Sequence, residues 1–324
     1  MSDLSTGPDL DLSVDLGGLR LPNPVMTASG CAAAGFELDQ FFDVAELGAV
    51  VTKSIMREPR SGRATPRMAE TPAGMLNSIG LQGPGIGSFL ATDLPWLVGR
   101  GARAVVSIAG GTVEEFVELA RRVTASPGVA ALEVNISCPN VENRGLVFAC
   151  DPRQASTVIE AVRAVVPDGL PMFAKLTPDV TDLVAVARSV VDAGATGLVL
   201  INTLLGLRID PATLRPLLGG VTGGLSGPAV RPVAVRCVWQ VHAALPQVPL
   251  IGVGGIRTGA DALEFLAAGA TAVQVGTVIF NDPSAPIRVT RELAHELAVR
   301  GFVGPADVIG IAHRPRGQTQ DRIA

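Results

Sequence analysis

An α/β fold, a barrel of eight βα units, is what this sequence predicts, and three observations predict it. Eight short runs rich in Val, Ile, Ala and Leu alternate with eight helical patterns along the 324 residues. The runs are almost continuously apolar, as parallel strands buried on both faces are, rather than strictly alternating. The chain also carries no strand-order signature of an open, doubly wound sheet, so a closed (β/α)8 TIM barrel is the simplest arrangement.

The elements follow in order. Leu12–Leu21 alternates apolar and polar residues around Gly17-Gly18 and reads as a short N-terminal hairpin closing the barrel bottom. The strands are placed at Pro24–Ala28, Ala49–Lys53, Ala104–Ala109, Ala130–Ile136, Pro171–Leu176, Thr196–Asn202, Pro249–Val253 and Thr271–Gly276. The helices are placed at Glu37–Leu47, Gly85–Val98, Thr112–Val123, Arg153–Val165, Val180–Asp192, Ala229–Ala244, Ala260–Ala268 and Ala285–Val299. Thr112 with Glu115 has the spacing of a capping box, and Gly194, Gly269 and Gly301 stand where helices stop. Two segments, Ser54–Arg103 and Thr203–Val248, exceed a minimal βα connection and leave from C-terminal strand ends, the face where such barrels build their sites. No linker divides the chain, so one domain over residues 1–324 is expected.

Composition removes several classes of function. A net charge of −4 gives no reason to expect nucleic acid or an anionic membrane as partner. No apolar stretch approaches the roughly 20 residues that span a bilayer, and the acidic start lacks the features of a signal peptide. Cys31, Cys138, Cys150 and Cys237 are scattered, which suits a reducing cytoplasm and neither a disulfide framework nor a zinc or iron–sulfur motif. His242, His295 and His313 have no metal-ligand spacing, so no metal is expected. Cys31, Cys150 and Cys237 read as small buried hydrophobes.

The strand ends carry the chemistry. They supply Ala28-Ser29-Gly30, Thr52-Lys53-Ser54, Ser107, Asn135-Ile136-Ser137-Cys138-Pro139-Asn140, Lys175, Asn202-Thr203, Gly254-Gly255 and Gly276-Thr277. In a barrel these converge on one mouth, where lysines, asparagines and a thiol cannot be buried unpaired without large cost. Glycines after strands seven and eight let backbone N–H groups approach a phosphate. A lysine there can stabilise negative charge on a reduced flavin, and asparagines match the alternating donors and acceptors of a pyrimidine edge. Cys138 can act as base or nucleophile, because thiols titrate within reach of neutral pH.

Asn77-Ser78-Ile79-Gly80-Leu81-Gln82, Asn135-Ile136-Ser137-Cys138-Pro139-Asn140, Lys175-Leu176-Thr177-Pro178, Ile201-Asn202-Thr203 and Ser226-Gly227-Pro228-Ala229 together resemble class 1 dihydroorotate dehydrogenases. The resemblance runs from about Leu12 to about Arg300 and is closest to the NAD-linked subclass (1B). Its most specific element is the asparagine–cysteine motif, since class 2 enzymes place serine in the role of base. The resemblance implies that Lys53, Asn77, Ser78, Ile79, Gly80, Leu81, Asn135, Asn140, Asn202 and Thr203 hold dihydroorotate or orotate. It implies that Ser29, Lys53, Ser54, Asn135, Lys175, Ile201, Gly227, Gly254, Gly255, Gly276 and Thr277 hold one FMN. Cys138 would be the base, with Lys53 bridging flavin and substrate. One departure stands out: where the family commonly has asparagine after the third strand, this chain has Ser107, which puts that flavin contact in doubt.

The resemblance further implies a homodimer core joined to an electron-transfer subunit carrying FAD and a [2Fe–2S] cluster, with electrons passed to NAD. Reoxidation by fumarate, reduction of a pyrimidine base, a non-redox phosphate-binding barrel and an inactive scaffold are the competing readings. The last two leave Cys138 and the asparagines without a task.

Overall fold

The computed structural model describes residues 10–137 and 148–315. Eight parallel strands form one sheet: Val25–Thr27, Val50–Val51, Ala104–Ile108, Val129–Asn135, Met172–Leu176, Gly197–Leu200, Leu250–Val253 and Ala272–Val275. In space they run 1-8-7-6-5-4-3-2. The ring closes between strands one and two, where Met26 bridges Ala49 and the N–H of Gly48 donates to the carbonyl of Val25 at 2.9 Å. The barrel and the hairpin below it are therefore as the sequence predicts.

Each strand sends one apolar side chain into a lower interior layer: Met26, Val51, Val105, Ala131, Phe173, Val199, Ile251 and Ala272. Leu16 and Leu21 of the hairpin (Val14–Leu16 paired with Leu19–Leu21) join this layer and seal it from below. Gly17 and Gly18 turn the hairpin with φ of 64° and 94°, a conformation that glycine adopts without strain. The outward side chains of the same strands meet the helices in a second, larger core.

Helices Val113–Thr124, Pro152–Arg163, Leu183–Asp192, Arg231–Ala244, Gly259–Ala267 and Ala285–Ala298 lie within a few residues of their predicted ranges. Gly194, Gly269 and Gly301 follow helix ends at φ of 104°, 116° and 73°. The predicted helix over residues 85–98 is a run of Gly85–Ser88, Phe89–Asp93 and Leu94–Gly99, the middle part widened into a π turn.

Two expectations are corrected, and one feature is new. Glu37–Leu47 is no α-helix but two 3-10 turns, Leu38–Gln40 and Val44–Glu46. The carboxylate of Asp43 accepts from the N–H of Ala45 and starts a new turn, which interrupts the helix. Thr112 does cap its helix, accepting from the N–H of Glu115, but Glu115 reaches back to the N–H of Gly111 rather than of Thr112. The reciprocal capping box belongs instead to Thr258 and Asp261. The two long insertions also build a four-stranded antiparallel sheet that the apolar pattern does not announce, ordered Leu204–Gly206, Gly223–Ser226, Gly74–Asn77 and Met68–Thr71.

The helix opened by that capping box packs so tightly against Ala285–Ala298 that a Cβ on Gly259 would collide with the backbone of Glu292 and Leu293. Gly259→Ala is expected to destabilise the protein by about 1–3 kcal/mol, the usual cost of overpacking. Urea denaturation checks it, and an unchanged midpoint would refute the packing argument.

Candidate active site

One step of two residues above the dry layer, the same strands place a second ring on the inner face: Ala28, Lys53, Ser107, Glu133, Lys175, Ile201, Val253 and Gln274. Half of this ring is one hydrogen-bonded cluster. Glu133, fully buried, accepts from the Ser107 hydroxyl at 2.8 Å and from the Gln274 amide at 3.0 Å, and pairs with the Lys175 ammonium at 3.7 Å. Lys175, also buried, donates to Ser29 Oγ at 2.8 Å. A buried carboxylate and ammonium are tolerated when they meet each other and their remaining positions are hydrogen-bonded.

The cluster rises toward the mouth through Ser54 and Asn135. Ser54 Oγ lies 2.9 Å from Ser107 Oγ and accepts from Asn135 Nδ2 at 3.0 Å. Asn135 Oδ1 accepts from the Ser137 hydroxyl at 2.8 Å and from its N–H. Asn202 Nδ2 donates to Ser137 Oγ at 2.7 Å, while its own Oδ1 accepts from the N–H of Thr203. Strands one to six and strand eight are thus tied together at their C-terminal ends.

Lys53 stands close by: a Cβ on Gly30 would lie 3.4 Å from its Nζ. Burial pushes the Cys31 thiol up to about 11 against the opposing pull of Lys175 and Lys53. Asn77 sits in the insertion sheet and donates to the carbonyl of Gly224. Ser78 accepts from Arg63 Nη1 at 3.2 Å, and the carbonyl of Ile79 accepts from the Arg63 N–H at 3.0 Å. Gly80 and Leu81 carry positive φ of 77° and 55°, a tight turn in this substrate-implied segment. Cys138 and Asn140 lie outside the described residues.

Glycines follow strands seven and eight. Gly227, Gly254 and Gly255 have φ of 89°, 139° and 74°. A Cβ on Gly255 would meet the carbonyl of Gly227 at 2.7 Å, and one on Gly276 would meet Ala28 at 3.0 Å. Gly227 and Gly255 therefore come closer to neighbouring backbone than a side chain would allow, and Gly276, next to Thr277, packs on the side chain of Ala28. The donor set fits an anionic, phosphorylated ring compound: closely approached glycine backbone and two ammoniums at one barrel mouth.

Sequence reasoning passed over Glu133, Gln274 and Arg63, while Thr52, named at its strand end, accepts at Oγ1 from the N–H of Ser107. The signal for the first two was present, as Glu133 is the one charged side chain of its strand and Gln274 the one polar side chain of Ala272–Val275. Cys150 needs correction, being exposed rather than a buried hydrophobe: it ends the 3-10 turn Phe148–Cys150 instead of facing the core. Cys237 is buried as expected. His313 stacks on Trp239 and meets His242, and among the described residues no three metal-capable side chains cluster. No described helix is long and apolar enough to cross a membrane.

Comparison with known proteins bears on this geometry. A family model described as Dihydroorotate dehydrogenase matches residues 11–297. The protein of Geobacter sp. (strain M21) named Dihydroorotate dehydrogenase B (NAD(+)), catalytic subunit, is 49% identical over 300 residues, covering 93% of this chain and 97% of that relative. The relative of the same name in Geobacter sulfurreducens is also 49% identical, with the same 93% and 97% coverage. That of Pelobacter propionicus is 50% identical, covering 93% of this chain and 98% of the relative.

Removing the Ser107 hydroxyl should expose how much the cluster holds. Ser107→Ala leaves Glu133 one donor short in a fully buried position. A loss of about 1–3 kcal/mol in urea unfolding of flavin-free protein is expected. No loss would mean that Glu133 is satisfied without it.

Proposed function

The chain belongs to the dihydroorotate dehydrogenase family, and on that premise we propose that it is a single FMN-binding domain oxidising dihydroorotate to orotate in pyrimidine (UMP) biosynthesis. The observation that carries this reading is the buried Lys175–Glu133 cluster together with closely approached glycine backbone at the barrel mouth. FMN, when bound, supplies the acceptor for the hydride leaving ring carbon 6 of the substrate. Ser29, Ser54, Lys175, Ile201, Gly227, Gly254, Gly255, Gly276 and Thr277 would hold it, with the glycine backbone toward the phosphate.

The remaining work falls to side chains of this chain. Cys138 takes the proton from ring carbon 5, an assignment resting on the motif Asn135-Ile136-Ser137-Cys138-Pro139-Asn140. Asn135 is presented by Ser54 below and Ser137 above, which fixes which end of its amide faces the substrate. Asn202 is fixed likewise by Ser137 and the N–H of Thr203, and with Asn77 and Asn140 it would read the pyrimidine edge. The Ser78 side chain and the N–H groups of Ile79 to Leu81, with Lys53, would hold the carboxylate, the N–H of Ser78 itself being donated to the carbonyl of Arg67. Lys53 would touch flavin and substrate both.

The relatives are named catalytic subunits linked to NAD, which supports a partner subunit here, with FAD and [2Fe–2S] carried by that partner. Exposed apolar side chains on the second insertion, Leu205, Leu207, Ile209 and Leu214, support a protein interface such as a homodimer core. The exposed free thiol of Cys150 suits a reducing compartment, the cytoplasm.

Anaerobic addition of dihydroorotate to the purified chain tests the central reading. The expected outcome is bleaching of about one non-covalent FMN per chain; protein without flavin, or with FAD, refutes it. Cys138→Ala should retain FMN and slow that bleaching by roughly 10²-fold or more, the scale of a lost general base. Equal rates would remove Cys138 from the role. In steady state the isolated chain should turn over slowly with NAD or fumarate and gain NAD reduction when its electron-transfer partner is added; brisk turnover with fumarate alone would overturn the two-subunit reading.

A further inference from the structure

Glu133 is a carboxylate with no exposure in the middle of an enzyme site, and the proposed chemistry gives it no task. Its surroundings fix the direction of every hydrogen bond that reaches it. Ser107 has a single hydroxyl proton and spends it on Glu133 Oε1. The contact between Ser54 and Ser107 must then be donated by Ser54, whose oxygen in turn accepts from Asn135. The chain therefore runs one way, from the Asn135 amide through two hydroxyls to the carboxylate. The other oxygen accepts from Gln274, and Lys175 faces the pair at 3.7 Å. What reaches the mouth is the field of a paired cation, not of a bare one.

We propose that Glu133 is a positioning residue that sets the redox preference of the site: by partly cancelling Lys175, its buried negative charge limits how strongly the protein favours reduced over oxidised FMN. The proposal rests on the FMN reading above. Two-electron reduction by dihydroorotate places negative charge on the flavin, and a lysine at its edge stabilises that charge. A carboxylate behind the same lysine opposes it, and low polarity makes the opposition count. Electrons must afterwards leave the flavin, so a site that held the reduced form too tightly would stall at reoxidation.

Glu133→Gln isolates the charge. The introduced amide keeps an oxygen for Ser107, and its new N–H can be accepted by Gln274 Oε1, which is buried and has no hydrogen-bond partner among the described residues, once that amide turns over. The readout is the midpoint potential of bound FMN, equivalently the ratio of apoprotein affinities for reduced and oxidised flavin. E133Q is expected to shift that ratio about tenfold toward the reduced form, equal to about 30 mV in a two-electron couple. Ser107→Ala, which breaks the chain but keeps the charge, should shift it less than threefold. A shift below threefold in E133Q, a shift toward the oxidised form, or an equal shift in Ser107→Ala would overturn the proposal. If E133Q does not accumulate folded, K175Q is compared with E133Q/K175Q, and the double variant must favour reduced FMN more than K175Q does. A parent protein that binds no FMN refutes the cofactor reading instead, and is seen before any variant is made.

Discussion

A carboxylate buried inside a barrel must find a counter-charge and donors for its lone pairs, and satisfying Glu133 organises the upper half of this molecule. Its partners come from strand three (Ser107), strand five (Lys175) and strand eight (Gln274). Ser107 and Glu133 are register partners across adjacent strands, as are Asn135 and Lys175. A slip of one residue in any of these strands would turn the polar group outward into the helix-packed core and leave the carboxylate unpaired. The polar cluster thus favours one register where a ring of aliphatic side chains would tolerate several.

The lower layer supplies the complementary term. Its eight apolar side chains and the two hairpin leucines exclude water from beneath, so charges above them sit in a medium of low polarity. The insertions bound the site from the other end, where the sheet they share puts Asn77 beside Gly224 and Ser78 beside Arg63. Dry floor, charged ring and insertion sheet succeed one another along the barrel axis. Each is needed for the next, since the lysines gain strength from the floor and would face open water without the sheet.

Much of this arrangement is legible in the sequence because strands repeat every two residues. Moving two positions up from each apolar floor residue lands on Lys53, Ser107, Glu133, Lys175 and Gln274, so the ring could have been read by counting. The reading found the lysines and missed Glu133, since attention fell on strand ends while Glu133 lies two residues inside one. The segment over residues 37–47 misled because its composition suits a helix, whereas Asp43 prefers to cap. The insertion sheet was hidden for a different reason. Its strands are short, partly exposed and rich in glycine, and they pair across about 150 residues, so neither period nor a local turn reveals them.

Ser107 brings these lines together. Its short side chain is wholly occupied beneath the mouth, accepting from Ser54 and donating to Glu133. An asparagine there would bring two donors and one acceptor oxygen to a slot now filled by one hydroxyl, and its extra length would press on Ser54 or reach past it toward the mouth. The serine thus exchanges reach toward a ligand for a continuous donor chain from Asn135 to the carboxylate. The hydroxyl of Ser107 is in this way committed to holding the charge pair beneath the mouth.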